Sequence, residues 1–156
     1  MLQLDGIKLH GSLHILLFDE NGDIKDERYV PNLVTTLGKA WLTNRMIGVA
    51  DGVIAYMGFG TGAVAPAAGD TDLGTVLSAR IATTVSGGSR VNETTTNDAV
   101  EWIATAPATA PYTGAITEAG LFVALTVGTM LSRTTFSAVN KTATDTLQIT
   151  WRVKAA

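Results

Sequence analysis

The chain contains no cysteine, which excludes disulfides, thiolate zinc sites and a cysteine nucleophile. Charge is also scarce: Asp, Glu, Lys and Arg make up 16% of the 156 residues, where an average soluble domain has roughly 25%. The 11 Lys and Arg form no cluster and the net charge is −3. Sequence-independent phosphate binding therefore has no electrostatic footprint, and no nucleic-acid partner is expected. No stretch approaches about 18 uninterrupted apolar residues, so no membrane-spanning helix is expected. The start, MLQLDGIKLHGSL, carries an Asp and lacks the charged-then-apolar order of a secretory leader, so secretion is not expected.

Histidine is almost as rare. His10 and His14 are the only two. In a strand-like segment they share a face but lie roughly 13 Å apart, too far for one ion. No serine sits in G-x-S-x-G. A convergent carboxylate pair among the 14 acidic residues is the remaining route to hydrolysis. With so few charged groups, the chain is expected not to be an enzyme and to hold no catalytic residue, cofactor or metal.

What is present is apolar and small. Apolar residues reach 46%, with Thr, Ala and Gly filling the place of charge. A chain of this length fits one domain that buries about 70% of its unfolded surface. A weakly charged, Thr-rich exterior suits burial against partners.

The pattern predicts a mainly β protein, an antiparallel sandwich or jelly roll with one short helix. His14–Phe18 and Ile24–Val30 read as two strands, with Asn21-Gly22 supplying a type I′ turn. A helix is expected over about 35–47, capped by Thr35 or Thr36 and closed by Gly48. Leu33, Leu37 and Trp41 recur at i, i+4, and Gly38 costs about 1 kcal/mol against Ala. Val53–Met57 ends in a glycine loop, Gly58–Gly62, and Ala63–Gly69 reads as a linker. Leu77, Ala79, Ile81, Thr83 and Val85 alternate with Ser78, Arg80, Ala82 and Thr84 as a candidate strand. Further strands are expected at Ala99–Thr105, Ile116–Leu125 and Thr129–Ser137. The clearest is the last: Leu147, Ile149, Trp151 and Val153 face one way, and Thr146, Gln148, Thr150, Arg152 and Lys154 the other. Short strands at this spacing favour a sandwich over βαβ units.

Four features resemble sites and are read as structural. Gly58-Phe59-Gly60-Thr61-Gly62 lacks the third glycine of a dinucleotide fingerprint and the lysine of a P-loop, which leaves a tight strand exit. Asp19-Glu20-Asn21-Gly22-Asp23 has its glycine fourth and Val30 twelfth, so it departs from a calcium loop. Asp70 and Asp72 could ligate a hard cation but fit turn-capping better. Trp41, Trp102 and Trp151 lie in apolar patterns that favour core packing over a sugar- or base-stacking platform.

The order of several motifs resembles tailed-bacteriophage virion proteins. Asn32-Leu33-Val34-Thr35 leads into the helix. The Gly58–Gly62 run is followed by Pro66, Asp70-Thr71-Asp72-Leu73 and Arg80. Ile116-Thr117-Glu118-Ala119-Gly120-Leu121-Phe122 resembles an I-x-E-x-G-L-F segment. Leu131–Phe136 and Asp145–Trp151 resemble the two closing strands. The resemblance covers about residues 32–153 and implies a small virion structural protein. Its kind is a capsid decoration (cement) protein on the major capsid protein lattice, or a tail, fibre or baseplate part with a host-surface carbohydrate role. It also implies a homotrimer of jelly-roll or sandwich subunits, located on the virion after synthesis in the host cytoplasm. No catalytic residue is inherited.

Residues 1–12 are expected to form an N-terminal strand or arm, with 13–156 a single β-rich domain. Leu2 and Leu4 share one face of the extended segment, and Ile7 and Leu9 the other. These four are candidate partner contacts; the alternative is a strand that completes the domain's own sheet.

Overall fold

The computed structural model describes Gly6 and residues 8–155. Among the described residues, nine strands and one helix follow in the order β1 (Leu9–Phe18), β2 (Ile24–Val34), α1 (Thr36–Met46), β3 (Tyr56–Gly60), β4 (Ile81–Ala82), β5 (Ser89–Val91), β6 (Ala99–Ala106), β7 (Gly114–Phe122), β8 (Met130–Lys141) and β9 (Thr146–Ala155). The protein is mainly β and antiparallel with one short helix, as the sequence predicts. The strands join in one curled sheet, ordered β4-β3-β7-β8-β2-β1-β9-β6-β5.

Strand alternation explains why the sheet curls around a core. Leu13, Ile15 and Leu17 of β1 and Leu147, Ile149 and Trp151 of β9 are buried, and they pair directly as Leu13↔Trp151, Ile15↔Ile149 and Leu17↔Leu147. On β6, Ala104 and Ala106 sit opposite Ile149 and Leu147, so small side chains make room for large ones. Met57, Phe59, Ile116, Leu121, Leu131 and Val139 from the other half of the sheet enter the same core cluster.

Strand β2 carries the chain between the halves. It pairs with β1 from Ile24 to Asn32, then with β8 only at Leu33 and Val34. Opposite this bend, β8 bulges between its pairings with Ile116 and Glu118. Arg28 of β2 supplies the missing donors there, giving Nη2 to Ala138 O at 2.9 Å and Nη1 to Ser137 O. Asp26 holds the same guanidinium at 2.6 Å, and that contact lowers the Asp26 carboxyl below its ordinary range. At the open edge, Thr84 N donates to Ile103 O of β6 at 2.8 Å. Trp102 Nε1 reaches Ile54 O at 3.1 Å. These bonds draw the edge near β4 towards β6.

The helix lies within the predicted bounds, with Thr35 as its cap. Thr35 Oγ1 accepts from Gly38 N at 2.9 Å and donates to Met130 O at 2.6 Å, so one hydroxyl ties the helix start to β8. Gly48 follows in the left-handed conformation, φ 79°. Gly38 takes on a different meaning from that read in the sequence. A Cβ there would lie 2.1 Å from Leu131 O, so glycine is what lets the helix lie against β8.

Three local expectations need correction. The β1–β2 turn is not type I′: among the described residues only Asn97 and glycines have positive φ, so Asn21 does not. Gly22 N instead donates to Asp19 O at 3.1 Å, and the Asp19 carboxylate accepts from Asn21 and Asp23 N, a longer turn closed by a left-handed glycine. Gly58 and Gly60 lie inside β3, not in a loop. The strand expected over 77–85 shrinks to Ile81–Ala82. Arg80 and Thr83 turn inward while Val85 is exposed, because polar partners inside outweigh alternation.

The 1–12 boundary falls within β1, whose residues from Leu9 pair with β9 and from Gly11 with β2. Leu2, Leu4 and Ile7 lie outside the described residues.

Candidate functional site

A single carboxylate and its arginine gather four of the ordered motifs. Glu118, on β7 and fully buried, accepts on Oε1 from Gly62 N at 2.9 Å and Thr75 N at 2.7 Å. On Oε2 it accepts from Gly74 N at 2.9 Å and from Arg133 of β8. A Cβ at Gly60 or Gly62 would lie within 2.5 Å of Oε1, which explains glycine at these two positions. Arg133 also donates to Asp70 at 2.7 Å and to Val64 O at 3.0 Å. The end of β3 with Gly62, the Asp70–Leu73 segment, β7 and β8 therefore meet at one ion pair.

Electrostatics match the geometry. Burial alone would raise the Glu118 carboxyl, but hydrogen bonds from Thr75, Gly74, Arg133 and Gly62 outweigh it and hold the group below its ordinary value. Arg133 moves the opposite way: burial would lower it, and Glu118 with Asp70 more than compensates. A carboxylate has about four acceptor positions, and five donated hydrogen bonds fill them. Glu118 is a strut between loops with no acceptor position left for a ligand.

Asp70 and Asp72 stand where turn-capping predicts. Asp70 accepts from Ala67 N and Asp72 from Leu73 N, and each also meets an arginine. The Ala67 bond outweighs burial in lowering the Asp70 carboxyl. Arg80 contacts Asp72 at 3.1 Å, donates to Ala124 O at 2.9 Å and lies 3.4 Å over the Phe122 ring. No group of three metal-ligating side chains occurs among the described residues. Sequence reasoning reached Glu118 only through the resemblance. Its signal was available: one acidic residue inside an apolar strand run implies a buried, paired charge.

Exposed apolar side chains follow one another at the end of α1, besides others scattered over the surface such as Val64 and Val127. Met46 and Ile47 are 66% and 77% exposed, and Val49 and Val53, a few positions later in sequence, are exposed too. An apolar groove of about 460 Å³ opens beside Met46, lined by Leu9, Trp41, Leu42, Val100 and Trp102 among others. Leu9, the one described member of the predicted contact set, stands on its wall. Trp102 and Trp151 are buried, and Trp41 is half-buried with Nε1 on Gly52 O. The core reading fits all three better than a platform does. His10 and His14 both point outward, and His14 meets Glu27 at 2.7 Å.

No protein-family model, no curated protein and no solved structure matches this chain.

Proposed function

We propose that the protein is a non-enzymatic structural component of a tailed-phage virion, a capsid decoration protein that binds the major capsid protein lattice as a homotrimer. The observation that carries the reading is the convergence at Glu118. Four of the motifs that resemble virion proteins by their order along the chain, Gly58–Gly62, Asp70–Leu73, Ile116–Phe122 and Leu131–Phe136, meet in space at this ion pair. The curled sheet, with two halves over one core, supports a sandwich-type subunit of the jelly-roll kind.

The assembly surface in this reading is the apolar end of α1. Lasting subunit contacts are more hydrophobic than transient ones, and Met46, Ile47 and the neighbouring groove offer such a face. Low charge helps, because a symmetric oligomer repeats each patch and its repulsion in every copy. Across a lattice, many weak contacts per particle sum to firm attachment.

Light scattering should give about three times the 16.3 kDa subunit mass. A Met46→Glu, Ile47→Glu double variant should stay folded and fall to one subunit mass. A parent that is monomeric both in solution and on particles overturns the trimer. Co-sedimentation with separated capsids and tails then tests location: attachment to tails alone replaces the decoration reading with a tail-component one.

A further inference from the structure

The outer face of the sheet carries a second feature that the assembly reading does not use. A cleft of about 380 Å³ is lined by Ser12, His14, Tyr29, Glu93, Thr150 and Arg152. Tyr29 is 73% exposed, yet its ring is held. It pairs across strands with His14, the two rings stack at 4.4 Å and 3°, and Glu27 fixes the imidazole. One ring face is buttressed and the other is open.

Polar groups around that ring are positioned but unspent. Arg152 gives Nε to Glu101 at 2.6 Å; its two Nη groups meet no acceptor among the described residues. The Glu93 carboxylate and the Ser12 and Thr150 hydroxyls likewise have no side-chain hydrogen bond among those residues. Glu93 is not on a loose loop. The Asp98 carboxylate accepts from the backbone N of Glu93, Thr94 and Thr95 at 2.8–2.9 Å. Asn92 accepts from Asn97 N at 2.7 Å, with Asn97 at φ 59°. The Thr94 hydroxyl joins the set at 2.7 Å.

We propose that this cleft binds a pyranose unit of a glycan. A sugar ring has an apolar C–H face that stacks on the electron-rich face of an aromatic ring, and hydroxyls that need donors and acceptors together. Tyr29 supplies the first; Arg152, Glu93, Ser12 and Thr150 supply the second. Glu101, paired with Arg152, and Glu93 on the same cleft wall offset the charge of Arg152, which disfavours phosphate. The platform is Tyr29 on His14, not the tryptophans that the sequence offered. The proposal holds wherever on a particle the protein sits, so its outcome is separate from that of the decoration reading.

The test is an amide-shift NMR titration of the full chain. Probes are the methyl pyranosides of glucose, galactose, mannose and N-acetylglucosamine, with inorganic phosphate as a comparison. At least one glycoside should shift Ser12, His14, Tyr29 and Thr150. Tyr29→Ala and Arg152→Ala should weaken that binding by about tenfold, equivalent to ~1.4 kcal/mol, while Tyr29→Phe keeps it. Three outcomes overturn the proposal: no glycoside shifts these residues, Tyr29→Ala binds as the parent does, or phosphate binds and the glycosides do not.

Discussion

Arg133 donates both Nε and Nη2 to the same oxygen of Glu118, at 2.9 and 2.7 Å, inside a protein with few charges to spare. Both side chains are at most 3% exposed. Removing one partner of such a pair strands the other, at a cost of about 3–5 kcal/mol, a large part of a total stability of roughly 5–15 kcal/mol. Glu118→Ala should lower the urea midpoint accordingly, and so should Arg133→Ala. The double variant should cost clearly less than the sum of the singles, since the two act as one unit. Additive losses would show that the pair does not hold the loops.

Gly38→Ala separates helix propensity from packing by sign. On an exposed helix the change would stabilise by about 1 kcal/mol. Here the added carbon meets the Leu131 carbonyl, so α1 must lift from β8, and overpacking of this kind costs about 1–3 kcal/mol. Thermal melts should show a loss. A gain would mean that the helix does not lie on that strand.

Asp145 sets part of the acid response. It is buried at the β8–β9 turn, where Lys25 meets it at 2.9 Å. That bond is the largest cause of a carboxyl pKa lowered to about 2. A carboxylate with a lowered folded pKa contributes stability above its unfolded value of about 3.9, and that contribution is lost as pH falls through the folded value. Between about pH 4 and pH 2 the parent should therefore lose stability more steeply than Asp145→Asn. Parallel curves for the two would remove Asp145 from the acid response.

The parts of the fold legible in the sequence are those set by local pattern. Strand β9 is the clearest case: the alternation of Leu147, Ile149 and Trp151 with polar neighbours matches the observed burial, and Val153 is half-buried. Trp151→Ala should cost about 3–5 kcal/mol, against about 0.5 kcal/mol or less for Gln148→Ala. Equal melts for the parent and Trp151→Ala would contradict this register. What the pattern hid depends on contacts distant in sequence. Arg80 breaks the alternation of 77–85 because Phe122 and Ala124 await it inside. Gly60 and Gly62 look like loop residues until Glu118, more than fifty positions later, fills the space beside them. The Tyr29–His14 cleft was equally invisible, because it needs the β1–β2 register and the Glu93 loop together.

The most direct test of the decoration reading is to add the purified protein to undecorated phage capsids and image the particles. The account predicts trimers at regular lattice positions, with the Met46–Ile47 ends of the three copies packed together and occupancy that saturates. Bare shells at saturating protein, or density confined to tails, would contradict it.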